Sequence, residues 1–145
     1  AAEQPSMVAL QEVLHVDSAG LAKLAAKWGH PYAAMHKESG YPVALTSSAP
    51  IEVVERRVAG FHHGYLHART HGFEIFVVHF WPGKIHEPKH IAELALDLVS
   101  KGKRVLVVGD FNGEIRHDHE YLLEHGQLGE VVDGVRTFDY RITDT

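Results

Sequence analysis

The sequence predicts an α+β fold, a layered sandwich in which strands outnumber helices. Runs of β-branched and aromatic residues are more numerous than segments with helical spacing, of which only two or three can be found. Short turn-forming stretches separate several of the β-type runs, so neighbouring strands are expected to pair antiparallel. A doubly wound fold would instead alternate strands and helices regularly. At 145 residues with 45% hydrophobic content, one domain with a real core is expected.

The first half of the chain predicts one strand, one helix and three further short strands. Residues 7–14 form the first β-type run, and Asp17 or Ser18 then offers an N-cap. The helix that follows ends at Gly29 and carries apolar residues at helical spacing, namely Leu21, Leu24, Ala25 and Trp28. The next β-type runs predict a meander and lie at residues 32–36, 41–46 and 51–58.

The second half predicts a hairpin, an amphipathic helix and another buried strand. Residues 64–69 and 73–81 flank a turn at 70–72, and the second run is apolar enough for a central strand whose interior part ends at His79. A helix closed by Lys101 and Gly102 precedes a strand at 105–108, and its apolar face consists of Ile91, Leu94, Ala95, Leu98 and Val99. The prediction is completed by a short helix near 119–124 and a strand near 131–132.

Composition excludes several classes of protein. The net charge of -5 provides no general basic surface for sequence-independent nucleic-acid binding. Without cysteine there are no disulfides, thiolate zinc sites or cysteine nucleophiles, and the compartment stays unknown. No apolar run is long enough to span a bilayer, and the first residues lack a signal-peptide pattern. We therefore expect a soluble chain without a membrane span or targeting signal.

Polar residues cluster where the predicted strands end, which is where α/β sheets usually place ligand sites. They are Gln11 and Glu12 within the first strand, His79 late in the long strand, and Asp110 and Asn112 shortly after Val108. Each has an ordinary structural explanation: an Asp-x-Asn turn that bonds to itself, a solvated glutamate and a hydrogen-bonded core histidine. The sequence has no G-x-S-x-G, G-x-x-x-x-G-K-S/T or G-x-G-x-x-G motif that would indicate another chemistry.

Four segments in a fixed order carry a stronger signal than any single residue. They are ALQE at 9–12, GYPVALTSSAPI at 40–51, VVHFWP at 77–82 and VLVVGDFN at 105–112. With these segments the chain, over residues 7–143, resembles the endonuclease/exonuclease/phosphatase superfamily, whose fold is DNase I-like. The resemblance implies part of a four-layer α/β/β/α sandwich with two packed mixed sheets, and a single, incomplete domain over residues 1–145.

Position by position, the resemblance implies a metal-dependent phosphodiesterase, nuclease or phosphatase. Glu12 corresponds to the carboxylate that binds a divalent cation, Mg²⁺ or Mn²⁺, and Asp110 to the aspartate that orients or deprotonates the attacking water. Asn112 corresponds to the asparagine that keeps the site and the phosphate in place. His79 corresponds to a phosphate-contacting histidine of the deoxyribonuclease and sphingomyelinase branches, and it argues mildly against the abasic-site endonuclease branch, which usually has tyrosine there.

Motifs that the family has at the two ends of this pattern are missing from the sequence. No asparagine-bearing strand precedes ALQE, and the last residues, TFDYRITDT, stop before the R-x-D-Y strand and the S-D-H motif. Asp139 is interpreted as a loop residue rather than as the R-x-D-Y aspartate. From these departures we expect the chain alone to be weakly active or inactive, with exposed sheet edges and marginal stability.

The sequence leaves the substrate undecided and allows a second function, whereas it disfavours a zinc site. The candidate substrates are nucleic acid, a phospholipid and a small phosphoester, and no obligate protein partner is evident. The alternative function is that of a non-catalytic remnant of the fold, acting as a binding or structural module. A zinc site is disfavoured because the segment that would carry it predicts strand, turn and strand, and its candidate ligands are His62, His63, His67 and His71.

Overall fold

The computed structural model describes residues 4–84 and 86–112, which form seven strands and two helices. In chain order they are β1 (Met7–Leu10), α1 (Ser18–Lys27), β2 (Tyr32–Met35), β3 (Ala44–Ser47), β4 (Glu52–Arg57), β5 (Tyr65–Thr70), β6 (Phe73–His79), α2 (His86–Ser100) and β7 (Val105–Asp110). For this part of the chain, the prediction of an α+β fold with more strands than helices is confirmed.

The first sheet contains three strands in the order β1-β3-β2, and both pairings are antiparallel. The predicted meander of three consecutive strands is wrong, because β4 belongs to the second sheet and β3 pairs with β1 as well as β2. Burial explains the central position of β3 in the first sheet. All four of its residues are buried, and a strand between two others has neither edge open to solvent. The strand also begins at Ala44 rather than at residue 41, because Pro42 has no N–H to donate to a ladder.

The second sheet has the order β4-β5-β6-β7 and is mixed. Strands β5 and β6 form the predicted antiparallel hairpin, and β6 pairs with β7 in parallel after the crossover through α2. The prediction that the long apolar run is an interior strand ending at His79 is confirmed. Because β6 and β7 are parallel, their carboxyl ends lie side by side at one edge of the sheet.

The core follows from the alternation of side chains along the strands. Alternate residues of β5 and β6 share one buried cluster with the first sheet, which contains Ala34, Val43, Leu45, Leu66, Ala68, Ile75 and Val77. Residues on the opposite face, including Tyr65 and Phe76, pack against Ile91 of α2. On the first sheet, Leu21 of α1 packs against Met35 and Ala44. Among the described residues, the two sheets thus share one buried cluster, and each helix packs against one sheet.

Two boundary predictions need correction because they affect the candidate site. Strand β1 ends at Leu10, so Gln11 and Glu12 follow the first strand instead of lying within it. Glu12 has a φ of 52°, a left-handed conformation that cannot continue a strand. Strand β7 extends to Asp110, beyond the predicted 105–108.

Some of the predictions fall on residues that the structure does not describe. The helix near 119–124, the strand near 131–132 and Asp139 lie outside the described residues. Over residues 4–84 and 86–112, no helix combines the length and apolar composition needed to cross a bilayer.

Candidate functional site

Parallel pairing of β6 with β7 brings two of the predicted site residues together. His79 and Asp110 are register partners, and the amide of Phe80 donates to the carbonyl oxygen of Asp110 at 2.9 Å. The His79 Nε2 atom lies 3.7 Å from the Asp110 Oδ2 atom. This distance exceeds that of a direct hydrogen bond, and the two groups attract each other when the imidazole carries a proton.

Glu12 reaches the same histidine from the other sheet, through the segment that follows β1. Its Oε1 atom lies 3.8 Å from His79 Nε2, so two carboxylates from different elements face one ring nitrogen. The His79 side chain is 4% exposed, whereas those of Glu12 and Asp110 are 52% and 42% exposed. The histidine is therefore fixed within the fold while both carboxylates remain accessible to a ligand. Within the described part of the chain, the buried His79 Nδ1 atom has no hydrogen-bond partner.

Asn112 joins the site through a turn that directly follows β7. Its backbone amide donates to Asp110 Oδ1 at 2.9 Å, and its side-chain Nδ2 donates to the carbonyl oxygen of Phe80 at 2.9 Å. The self-bonded Asp-x-Asn turn considered as an ordinary explanation is therefore present. The turn uses only one oxygen of the Asp110 carboxylate, because Oδ1 accepts from the Asn112 amide while Oδ2 faces His79. Asn112 has a φ of 43°, so it adopts a left-handed backbone conformation, as Glu12 does.

Gly109 sets how closely β7 approaches β6 just before Asp110. Its φ is 141°, and a Cβ atom built on it would lie 2.0 Å from the carbonyl oxygen of Val78. Only glycine fits such a close approach of two backbones. The glycine in the GDFN segment thus positions Asp110 beside His79.

Aromatic rings surround the candidate site, and sequence reasoning did not assign three of them to it. His63 stacks on His79 with a centroid distance of 4.3 Å and an interplanar angle of 27°, and Tyr41 contacts both rings edge-on. Trp81 lies 5.5 Å from His63 between ring centroids. Burial, followed by the neighbouring charges of His79 and His62, lowers the pKa of His63 to about 4. His63 is therefore neutral near pH 7, so its ring stacks on His79 without bringing a positive charge to the site. Tyr41 and Trp81 lie within the GYP and HFWP segments, and this was the sequence signal that could have assigned them to the site.

The remaining histidines of the disfavoured zinc hypothesis have separate partners. His67 is buried and donates from Nε2 to Glu74 at 2.7 Å, while His71 contacts the carbonyl oxygen of Ser6 and the hydroxyl of Ser47. His67 is thus held by a carboxylate, and His71 by the first sheet, at different places in the fold.

The donor chemistry of the site fits a hard divalent cation through its carboxylates. Glu12 and Asp110 supply exposed oxygen atoms of the kind that Mg²⁺ and Mn²⁺ prefer. No group of three or more His, Asp or Glu side chains among residues 4–84 and 86–112 is arranged to hold a metal ion. Mg²⁺ commonly takes only one or two protein carboxylates and completes its shell with water and substrate oxygens, so two carboxylates can contribute a partial site.

Comparison with known proteins gives similarity at the level of the structure. No family model matches the sequence, and no curated protein matches it. The 3′ phosphatase NExo from Neisseria, solved bound to a product DNA hairpin, is similar with a TM-score of 0.50 and 15% identity, over 74% of this chain and 48% of that one. A truncated TDP2 from Caenorhabditis elegans is similar with a TM-score of 0.53 and 21% identity, over 91% of this chain and 55% of that one. At the level of the fold, the chain is similar to these solved structures, which belong to the endonuclease/exonuclease/phosphatase superfamily.

The structural likeness to the endonuclease/exonuclease/phosphatase superfamily extends over most of this chain but only part of each relative. A longer TDP2 structure from C. elegans gives a TM-score of 0.53 at 21% identity and is matched over 42% of its length. The chain therefore spans about half the length of the solved structures it matches. At these identities the likeness concerns the fold, and it confirms the family resemblance of the four sequence segments at that level.

Proposed function

We propose that the protein is a divalent-metal-dependent hydrolase of phosphoester bonds that acts through attack of water on phosphorus. The observation that supports it most is the convergence of Glu12 and Asp110 on Nε2 of His79, at 3.8 and 3.7 Å, from the segment after β1 and from the end of β7. Residues far apart in the sequence are thus assembled into one cluster. A carboxylate pair around a histidine suits a reaction that moves a proton and stabilises an anion.

Each side chain has a distinct role in this proposal. Asp110 presents Oδ2 to the attacking water and accepts its proton, while Oδ1 remains bound to the turn. His79 donates from Nε2 to a phosphoryl oxygen, and Asn112 keeps the turn and the phosphate in position. Glu12 is the proposed ligand of Mg²⁺ or Mn²⁺, and the bound ion supplies a positive charge that offsets the charge developing on the phosphate.

The proposal extends to the domain and to the substrate class. We propose that residues 1–145 are one incomplete domain of a full four-layer α/β/β/α sandwich, so that the chain alone has weak activity or none. The substrate class is a nucleic acid, a phospholipid or a small phosphoester. One similar structure is bound to DNA, which supports a nucleic-acid substrate, whereas the net charge of -5 favours a smaller one.

Hydrolysis assays test the proposed reaction. In Mg²⁺ or Mn²⁺, we expect the chain to release p-nitrophenolate from bis(p-nitrophenyl) phosphate slowly or not at all, and to cleave plasmid DNA no faster. Asp110→Ala and chelation of the metal are expected to remove whatever rate is observed, since a positioned general base contributes about 100-fold or more. The matched control is Asp97→Ala, which changes an exposed aspartate on α2 that pairs with Lys101.

The assay outcomes separate the two parts of the proposal. Robust turnover that Asp110→Ala abolishes would contradict the expected weakness of the chain while supporting the assigned site. Robust turnover that survives Asp110→Ala as fully as it survives Asp97→Ala would contradict the site itself.

The second candidate function is a binding or structural module that retains the fold without catalysis. Among the described residues, the metal-ligating side chains do not form a set of three, which is the observation that favours this alternative. A retained enzyme site should bind a divalent cation at Glu12, whereas a repurposed module has no requirement to do so.

A further inference from the structure

Two exposed aromatic rings from separate loops lie against each other beside the candidate site. Trp81 follows β6 and is 41% exposed, and His62 precedes β5 and is also exposed. Their ring centroids are 3.7 Å apart with an interplanar angle of 40°. Aromatic side chains that lie together on a surface provide flat area on which another ring can stack. We call this pair the Trp81–His62 platform.

The platform is continuous with the histidine proposed to contact phosphate. His63 lies 4.6 Å from His62 and 5.5 Å from Trp81, measured between ring centroids, and its opposite contact is the stacking on His79 at 4.3 Å. A single ring therefore separates the platform from His79. A base joined through one sugar to a phosphate can bridge such a separation, whereas an aryl group joined directly to phosphate is shorter and reaches only the near edge of the platform.

A buried carboxylate fixes both loops of the platform. Glu87, on α2, is 1% exposed, and its Oε1 atom accepts from the backbone amide of His62 at 2.7 Å. Its Oε2 atom accepts from the backbone amide of Trp81 at 3.0 Å. A buried carboxylate is costly unless its oxygens are satisfied, and here each oxygen is used to hold one loop. The two rings are thus ordered before a ligand arrives, which reduces the ordering cost of binding.

We propose that the Trp81–His62 platform stacks a planar aromatic ring attached to the scissile phosphate, and that Glu87 is the positioning residue that aligns the two rings. This inference deepens the proposed function and rests on it, because it places the ring beside the phosphate site. It restricts the substrate class to phosphoesters that carry a nucleobase or an aryl group. The shared chemistry of these two sources is a flat π-face next to a phosphate anion.

Tryptophan fluorescence provides a direct readout of stacking. The chain has two tryptophans, so Trp28→Phe leaves Trp81 as the sole emitter in the full 145-residue chain. We titrate this variant with adenosine 5′-monophosphate, ribose 5-phosphate, adenosine and phenyl phosphate. Adenosine 5′-monophosphate is expected to quench Trp81 emission and to bind about tenfold more tightly than ribose 5-phosphate, which lacks the ring. Quenching by phenyl phosphate but not by the nucleotide would show that the ligand ring is an aryl group. Quenching by adenosine 5′-monophosphate would show that it is a nucleobase.

Variants and the remaining outcomes complete the test. Measured by calorimetry, Trp81→Leu and Glu87→Gln are expected to remove the advantage of adenosine 5′-monophosphate while leaving ribose 5-phosphate affinity unchanged. Equal binding of the nucleotide and ribose 5-phosphate, without quenching, overturns the platform and leaves the proposed function intact. Adenosine that binds as tightly as its monophosphate overturns the placement beside a phosphate site. Absence of binding by every probe overturns both the platform and the proposed function.

Discussion

Replacing Gly109 with alanine is expected to lower the free energy of unfolding by about 3 kcal/mol or more. The added Cβ atom would lie 2.0 Å from the carbonyl oxygen of Val78, and a backbone atom cannot move aside as a flexible side chain does. The φ of 141° at Gly109 adds conformational strain for any L-residue. Strand β7 must therefore move away from β6, which also separates Asp110 from His79. Urea denaturation followed by circular dichroism measures the loss.

Gly102 provides the matched control for this substitution. It also has a positive φ, of 73°, but no atom lies within 4 Å of a Cβ built on it. Gly102→Ala should therefore cost only the conformational strain, about 1 kcal/mol. Equal destabilisation by the two substitutions would show that the close approach of β7 to Val78 does not exist.

Replacing Glu12 with glutamine is expected to weaken Mn²⁺ binding about tenfold or more, as measured by calorimetry. The substitution keeps the shape of the side chain but removes the negative charge that attracts the ion. Glu12 is half-exposed, and among residues 4–84 and 86–112 its carboxylate makes a charge contact only with His79, so the substitution should leave the fold intact. Circular dichroism of the variant checks this.

Asp97→Asn is the control for the metal titration, because it removes an exposed carboxylate from α2 on which no role is proposed. Its Mn²⁺ affinity should equal that of the unaltered chain. If Glu12→Gln binds Mn²⁺ as well as Asp97→Asn does, Glu12 is not a metal ligand and the module becomes the better explanation.

Local signals in the sequence were sufficient for much of the second sheet. The apolar run of β6 and the short turn before it predicted the hairpin, because both depend on residues close together in the chain. The end of β6 at His79 was predicted for the same reason. The apolar stripe of α2 predicted a helix that buries Ile91 and Ala95.

Non-local pairing was beyond local signals. Nothing near β3 in the sequence indicates that it pairs with β1, which lies roughly 35 residues earlier in the chain. That pairing depends on which strand is available to bond to the free edge of β3 once β2 occupies the other edge. The end of β1 was also mispredicted, because the left-handed backbone of Glu12 is imposed by contacts of the following residues, including the bond from Val13 N to the carbonyl oxygen of Pro42.

The membership of the candidate site stays a prediction from the order of the four segments, which nominated Glu12, His79, Asp110 and Asn112. The structure adds the geometry: Glu12 and Asp110 lie 3.8 and 3.7 Å from His79 Nε2, and the Asn112 amide donates to Asp110. The stacking of His63 on His79 and the buried carboxylate of Glu87 were not predicted. Both depend on how loops from distant parts of the chain pack, which spacing along the sequence does not encode.

Paramagnetic broadening by Mn²⁺ tests the central claim, that these residues form one metal-dependent site, most directly. In a nuclear magnetic resonance titration of the chain, substoichiometric Mn²⁺ is expected to broaden first the amide resonances of Glu12, His79, Asp110 and Asn112. The amide of Asp97 on α2 should remain sharp, and Glu12→Gln should remove the selective effect. Uniform broadening, or broadening centred on residues away from His79, would contradict the account.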